Sequence, residues 1–190
     1  MGTKSPIRRA DARINNHWLN ATDWAWVQKN LPIVCVDVLP IRLSSRTFNE
    51  IEAVGLITRA TDRGTPGWCL IGGRVLRGEP LAAAIKRQVK ETLGDHMRVY
   101  LPRELNPACI AQYSPTGRTP FCFDRRQHSI GLTYTVEIRG TPDPCGEASA
   151  FKWFELRHLP PSRQFGFNQD RIVRRCLDSL RRGCLIRRGR

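Results

Sequence analysis

The stretch CLIGGRVLRGEPLAAAIKRQVKETLGD (residues 69–95) most constrains the fold, because it joins a glycine pair to a long amphipathic segment. Gly72–Gly73 lets backbone groups approach a ligand closely, since no β-carbon stands in the way. Pro80 suits the first turn of a helix, where its missing N–H needs no partner. Gly94 suits the left-handed position that closes a helix. We therefore predict a helix over residues 80–93.

The faces of this helix separate a core stripe from a polar side. Leu81, Ile85 and Val89 recur every four residues, which predicts a stripe packed into the core. Arg87 and Glu91 lie together on another face, because residues four apart are neighbours on a helix. A carboxylate beside an open backbone carbonyl suits Mg²⁺, and arginines suit phosphate oxygens. The alternative is an ordinary surface ion pair on a core helix.

Apolar runs and turn-rich segments alternate through the rest of the chain. Two further helices are predicted, the first within residues 19–32 with Asn20 or Thr22 as its cap, and the last over 168–182. Strand patterns occur at residues 33–43, 51–60, 68–71, 108–114, 128–140 and 150–156. Strands that outnumber helices, with helices at the start, middle and end, predict an α+β fold in which helices flank a mixed sheet.

Length and charge divide the chain into one domain and two basic ends. A chain of 190 residues fits a single domain of ordinary size. We predict a basic, flexible N-terminal arm at residues 1–18, one domain at 19–182 and an arginine-rich tail at 183–190. The net charge of +14 favours phosphates, nucleotides or nucleic acid as partners, the last through the basic ends. A solvated surface with a frayed arginine tail explains this charge equally well.

Hydropathy and cysteine usage favour the cytoplasm. No apolar run is long enough to predict a membrane span, and the basic N-terminus lacks the apolar centre of a secretory signal. The seven cysteines are odd in number and show no C-x-x-C or zinc-binding spacing. We therefore expect reduced, structural cysteines in a cytoplasmic protein without a membrane partner.

The spacing of charged residues and glycines around the predicted helix is specific. Gly73, Glu79, Arg87, Glu91 and Gly94 fall in the register G-x5-E-x7-R-x3-E-x2-G. This pattern resembles the Nudix box, G-x5-E-x7-R-E-U-x-E-E-x-G-U. The resemblance implies a Nudix-type α/β/α sandwich with a mixed sheet. It also implies metal-assisted hydrolysis of a nucleoside-diphosphate-linked compound.

Three box positions depart from the Nudix pattern. Gln88 and Thr92 stand where the box has glutamates, and Asp95 stands at its final apolar position. In ordinary Nudix pyrophosphohydrolases three glutamates bind metal and assist the attack of water on phosphorus, and of these three only Glu91 is present. The box is therefore degenerate. The alternative function is a catalytically weakened Nudix domain that binds a nucleotide or nucleic acid.

One branch of the family, the GDP-mannose mannosyl hydrolases, also lacks the full set of glutamates. The chain resembles this branch in a helix leading into LPIVCVDVLP, in LITRA before the box and in GGRV at its start. The resemblance implies Mg²⁺-dependent hydrolysis of a nucleotide sugar at its anomeric carbon, with Mn²⁺ as an alternative ion.

The same resemblance assigns roles residue by residue. Arg59 and Arg74 match the arginines that neutralise the leaving diphosphate, and Ala148 stands where the branch has its general-base histidine. The implied catalytic residues are Arg59, Arg74, Arg87 and Glu147, and the implied metal ligands are Gly73, Glu91 and Glu147.

Two residues outside the box join Arg59 and Arg74 as candidate substrate contacts. Asp37 is a charge within an apolar strand, which indicates either a buried hydrogen-bond network or a contact to a nucleobase. His128 begins an alternating strand and suits either a phosphate contact or a satisfied strand end.

Tryptophans cluster in and before the first predicted helix. For Trp18, Trp24 and Trp26 we favour core or dimer contacts over base stacking, because a lone surface helix needs fewer aromatic residues. We expect a homodimer that buries Trp24 or Trp26, as the related branch also suggests.

Overall fold

The computed structural model of the chain describes residues 19–44, 50–61, 64–116 and 122–181, which form three helices and nine strands. The helices are α1 (Ala21–Asn30), α2 (Leu81–Leu93) and α3 (Asp170–Arg181). The strands are β1 (Ile33–Leu43), β2 (Ile51–Ala60), β3 (Pro66–Cys69), β4 (Ile71–Arg74), β5 (Arg98–Tyr100), β6 (Cys109–Ser114), β7 (Cys122–Phe123), β8 (Ser129–Arg139) and β9 (Ala150–Glu155). The predicted α+β fold is confirmed. The predicted arms at 1–18 and 183–190 lie outside the described residues.

Strand β1 is the centre of one mixed sheet. It runs parallel to β8 on one edge over residues 33–41. On its other edge β1 pairs antiparallel first with β4, over residues 35–38, and then with β2 from Ile41 onward. Strands β6 and β5 extend the sheet from β8, and β3 and β9 extend it from β2. The pairing with β4 sets Gly72 directly opposite Asp37.

Helix α2 confirms the predicted core stripe and the predicted end at Leu93, but differs in its start and in the conformation of Gly94. Ile85, Val89 and Leu93 are fully buried, and the helix packs against β4 and β1. Pro80 is the N-cap with extended backbone, so the helix begins one residue later than expected. Gly94 has φ 98° and ψ 151°, which is a positive-φ but not a left-handed helical conformation.

Helix α1 forms where predicted but does not enter the core. Asn20 caps it, because its side-chain oxygen accepts a hydrogen bond from the backbone N–H of Asp23 at 2.9 Å. No residue of α1 is buried, and Trp26 is 58% exposed. The core alternative for these tryptophans is therefore wrong for Trp24 and Trp26, the dimer alternative stays a prediction, and Trp18 lies outside the described residues.

Helix α3 covers another part of the sheet. It packs against β6 and β8 and buries Ile172, Val173, Cys176 and Leu177. Within the described part of the chain, no helix is long and apolar enough to cross a membrane.

The segment 162–169 before α3 differs from the prediction, because its turns were not expected and the last helix begins at Asp170 and not at 168. Two short 3₁₀ turns lie in it, and Phe165 forms an isolated bridge with Trp68 of β3. Gly166 approaches β3 so closely that an added β-carbon would lie 2.6 Å from the sulfur of Cys69. Phe167 and Asn168 have positive φ values of 53° and 57°. Such strain in non-glycine residues is typical of functional segments.

Candidate functional site

A cavity of about 660 Å³ lies where β1, β4 and α2 meet. Helix α1, the loop before β8 and the segment 162–169 complete its wall. Six of the eight predicted site residues line it, namely Asp37, Arg59, Gly73, Arg74, Glu91 and Glu147. The fold therefore gathers into one place residues that are distant in the chain.

Arg87, the box arginine, lies behind the cavity wall. Its Nε and Nη2 donate to the two carboxylate oxygens of Glu79 at 2.7 and 2.8 Å. Nη1 donates to Glu91 at 3.0 Å, and Nη2 also donates to the backbone carbonyl of Arg74 at 3.0 Å. The hydrogen bonds to Glu79 raise the pKa of Arg87 above its usual range. The side chain thus ties the loop after β4 to α2.

Gln88 occupies the box position at which the Nudix pattern has a carboxylate. Its amide packs on Gly73, where an added β-carbon would lie 2.6 Å from Nε2. The orientation that satisfies its neighbours has the nitrogen donating to the Gly72 carbonyl at 3.3 Å and the oxygen accepting from Arg87 Nη1 at 2.8 Å. A neutral amide therefore replaces one charge at this end of the cavity.

The predicted metal ligands Gly73, Glu91 and Glu147 all line the cavity. The loop that carries Glu147 is held on α2, because the Cys145 N–H donates to the Thr92 carbonyl at 2.9 Å. The Cys145 thiol also donates to the Glu91 carbonyl at 3.3 Å.

This donor set suits one hard cation. Two carboxylates and one backbone carbonyl match the oxygen ligands of a single Mg²⁺ that keeps several waters. Both carboxylates also pair with arginines, Glu91 with Arg87 and Glu147 with Arg59. Across the described ranges no three His, Cys, Asp or Glu side chains cluster as a metal site would require.

Arg59 and Arg74 present positive charge to the cavity from two strands. Arg59 in β2 is ion-paired with Glu147, which lies in the loop before β9. Burial raises the pKa of Glu147, and the charge of Arg59 opposes that rise. Arg74 lies over the ring of Trp24, with its guanidinium carbon 4.1 Å from the ring centre.

Arg126 is a third cavity arginine that sequence reasoning missed. Buried Asp124 holds it through hydrogen bonds of 2.9 Å to Nε and 2.8 Å to Nη2. Its guanidinium lies 5.0 Å from the ring centre of Phe167, and that of Arg59 lies 5.7 Å from the same ring. The sequence around it, Asp124-Arg125-Arg126, matches no known motif. Its contact partner Phe167 lies in the segment 162–169, whose position the sequence did not predict.

Asp37 lies at the floor of the cavity in a buried hydrogen-bond network. The Tyr113 hydroxyl donates to its Oδ2 at 3.1 Å, and Gln169 Nε2 donates to that hydroxyl at 2.9 Å. Gln169 in turn accepts from the backbone N–H of Leu70 at 2.8 Å. Burial raises the pKa of Asp37 to about 6, against the lowering effects of Tyr113 and Arg59. The network alternative is thus observed, and the nucleobase contact stays a prediction.

Glycines make room for this carboxyl group. An added β-carbon at Gly72 or Gly131 would overlap one of the Asp37 carboxylate oxygens. Glycine is therefore required on both neighbouring strands. The sequence alone does not show this, because the two glycines meet Asp37 only in the folded sheet.

Two predicted roles gain no direct support from the geometry. The His128 ring faces Gln112, with 2.7 Å between their Nε2 atoms, and its neighbours Gln127 and Ser129 line the cavity instead. Ala148, at the position of the branch's general base, is a buried apolar side chain. The substrate role of His128 stays a prediction.

The comparisons with known proteins place the chain in a family. A family model described as "Domain of unknown function (DUF4916)" matches residues 14–181. The chain belongs to the DUF4916 family. A comparison with curated proteins found no match.

Solved structures show the fold of this DUF4916 chain. A structure from Jonesia denitrificans DSM 20603, described as a possible asymmetric diadenosine tetraphosphate (Ap(4)A) hydrolase, is 31% identical, with 80% of this chain and 97% of that chain covered and a TM-score of 0.70. A MutT NUDIX hydrolase from Burkholderia pseudomallei is 22% identical, with 68% and 88% covered and a TM-score of 0.52. The predicted Nudix fold is confirmed, and the matches support the prediction of a hydrolase.

A third similar structure carries ligands. It is a bifunctional NMN adenylyltransferase/ADP ribose pyrophosphatase from Francisella tularensis, complexed with AMP and a Mn ion. It is 18% identical, with 84% of this chain and 47% of that chain covered and a TM-score of 0.54. At this identity the likeness shows the fold alone.

Proposed function

We propose that this DUF4916 chain is a Nudix-type hydrolase of a nucleoside-diphosphate-linked compound, and that the compound is a nucleotide sugar. One observation carries the proposal. The cavity combines the box elements Gly73 and Glu91 with two arginines from separate strands, Arg59 and Arg74. Proteins of similar fold are described as a possible Ap4A hydrolase and an ADP-ribose pyrophosphatase, and both compounds contain a nucleoside linked through phosphates to a second group.

Arg59 and Arg74 bind and neutralise the departing diphosphate in this proposal. Guanidinium groups present paired N–H donors that match phosphate oxygens. Preorganised donors aimed at a leaving group contribute roughly 3 kcal/mol each to lowering a barrier. Arg87 acts through Glu79 and Glu91, whose positions it fixes, and Asp37 and His128 remain predicted substrate contacts.

Gly73, Glu91 and Glu147 would hold one Mg²⁺, or Mn²⁺ as the alternative ion. When bound, the ion supplies positive charge to the leaving phosphate oxygens. Glu147 is the carboxylate next to Ala148, where the related branch has its base. A missing general base costs about 10²–10⁴-fold in rate, so we expect slow hydrolysis by attack of water at the sugar's anomeric carbon.

A substrate screen tests the proposal. The chain is incubated with Mg²⁺ and a panel of nucleoside diphosphates, dinucleoside polyphosphates and nucleotide sugars, and the products are identified by mass spectrometry. We expect release of free sugar and nucleoside diphosphate. Arg59→Gln should abolish that release, whereas Arg157→Gln, which changes an exposed arginine outside the cavity, should not.

Binding without turnover is the second candidate function. The neutral amide of Gln88 and the methyl group of Ala148 remove two groups that catalysis would use, while the cavity arginines remain. Ligand binding by a chain that turns over no member of the panel would favour this candidate. Nucleic-acid binding through the basic ends concerns residues outside the described ranges and stays a prediction.

The homodimer and the cytoplasmic location complete the proposal. Leu19, Trp26 and Leu31 leave apolar surface exposed on and around α1, which supports a subunit contact there. The six described cysteines are all free thiols, which supports a reducing compartment.

A further inference from the structure

Helix α1 turns its inward face to the cavity rather than to the core. Trp24 and Gln28, one turn apart, both line the cavity. No residue of the helix is buried, so core packing does not explain its position. An aromatic and an amide at the wall of a nucleotide-sized cavity are the kinds of groups that bind a base.

Trp24 and Arg74 form a stacked pair at this wall. The guanidinium carbon of Arg74 lies 4.1 Å from the centre of the Trp24 ring. A guanidinium uses its flat face for stacking and its edge for hydrogen bonds. The pair therefore presents a π surface to a nucleobase.

Two amides lie beside this pair. Gln28 Nε2 donates to Gln127 Oε1 at 3.0 Å, which links α1 to the loop before β8. Both side chains line the cavity. This bond leaves the Gln28 oxygen as an acceptor and the Gln127 nitrogen as a donor, the combination that the polar edge of a base requires.

We propose that Trp24, Arg74, Gln28 and Gln127 form a nucleobase subsite, in which the base stacks on the Trp24–Arg74 pair and meets the two amides with its edge. The inference rests on the proposed function, since it assumes a nucleotide ligand. The diphosphate then continues from the edge of Arg74 toward Arg59. A purine has the larger stacking face, so ADP should bind more tightly than UDP.

Binding measurements with three probes test the subsite. ADP, UDP and inorganic pyrophosphate are titrated against the full chain at constant Mg²⁺ by isothermal calorimetry. Trp24→Ala should weaken ADP binding by about 5- to 100-fold, as expected for the loss of one base stack. Pyrophosphate affinity should be unchanged, and Trp24→Phe should recover most of the ADP affinity.

Trp26 supplies the matched control. It lies on the same helix, is 58% exposed and does not line the cavity. Trp26→Ala should bind all three probes as the wild type does. Gln127→Ala should lower ADP affinity and leave pyrophosphate affinity unchanged.

The outcomes separate this inference from the proposed function. Unchanged ADP affinity in Trp24→Ala, or an equal loss for ADP and pyrophosphate, would overturn the subsite even if the chain hydrolyses nucleotides. A selective loss of ADP binding would support the subsite even in a chain without turnover, because binding is read out independently of hydrolysis. Wild-type chain that binds ADP no better than pyrophosphate would also overturn it.

Discussion

At the scale of single residues, the site is a set of charges that hold one another in place. Arg87 bridges Glu79 and Glu91, and Arg59 pairs with Glu147. Each carboxylate that could bind metal is thus oriented by an arginine before any ion arrives. Removing one member should alter binding more than folding, because these side chains surround a cavity rather than fill the core.

Glu91→Gln should weaken Mg²⁺ binding by at least roughly tenfold. The Glu91 side chain is half exposed and makes one i,i+4 pair with Arg87, so its neutralisation should cost only about 0.3–0.5 kcal/mol of unfolding free energy. Calorimetric titration with Mg²⁺ and a urea melt measure the two effects. Glu155→Gln, which changes a carboxylate outside the cavity, is the control, and an unaltered Mg²⁺ affinity in Glu91→Gln would refute the assignment.

Asp37 should make stability depend on pH. Its pKa is raised by burial from 3.8 to about 6, so between these values the folded chain keeps a proton that the unfolded chain has lost. Stability therefore falls as the pH rises through this window. Asp37→Asn removes the effect, and its free energy of unfolding should gain about 2 kcal/mol on the wild type between pH 4 and pH 7.

Urea denaturation at several pH values measures this difference, because contributions from all other groups are common to both proteins. A difference between Asp37→Asn and wild type that stays constant with pH would show that the Asp37 carboxyl titrates normally.

At the scale of elements, the sequence predicted those helices and strands whose local residue pattern is long enough to show a period. Strands β1 and β2 were predicted to the residue, since both are long apolar runs bounded by turns. Strands β5 and β7 were missed because three and two residues are too short to show a period. The glycine pair was expected in a loop, but it lies in β4, where pairing with β1 is a long-range effect.

The residues that line the candidate cavity were predictable where they follow the box spacing or the family resemblance. Gly73 and Glu91 come from that spacing, and Arg59, Arg74 and Glu147 from the family resemblance. Arg126 and Phe167 depend on how the segment 162–169 packs on β3, which no local pattern encodes. Trp24 lines the cavity instead of the core, and its helical spacing would be the same in either case.

The loop that carries Glu147 should be sensitive to modification of Cys145. This thiol is exposed, whereas burial raises the pKa of Cys35, Cys69 and Cys122 to about 12. In a Cys184→Ser background, a maleimide at neutral pH should label Cys145 first. The added group should push the loop that carries Glu147 away from α2, and the hydrolysis rate should fall by about tenfold or more.

Peptide mass spectrometry and activity assays follow this labelling together. Additional Cys145→Ser should prevent the loss of activity on treatment. Full activity after complete labelling would show that the position of this loop does not matter for hydrolysis.

At the scale of the whole molecule, exposed apolar surface on α1 and a strongly basic chain suggest where partners bind. Trp26 and Leu31 remain exposed, and we expect a second copy of the chain to cover them. Light scattering at micromolar concentration should give about twice the chain mass of 21.7 kDa. Trp26→Glu should give the monomer mass, and a monomer for the wild type would rule out this dimer.

We expect the attack of water to fall at the sugar's anomeric carbon. Hydrolysis of a nucleotide sugar in ¹⁸O-labelled water, with both products analysed by mass spectrometry, tests this claim most directly. We expect the label in the free sugar and none in the nucleoside diphosphate, because the arginines would stabilise an intact leaving diphosphate. Label in a phosphate product, or no turnover of any nucleotide sugar, would contradict it.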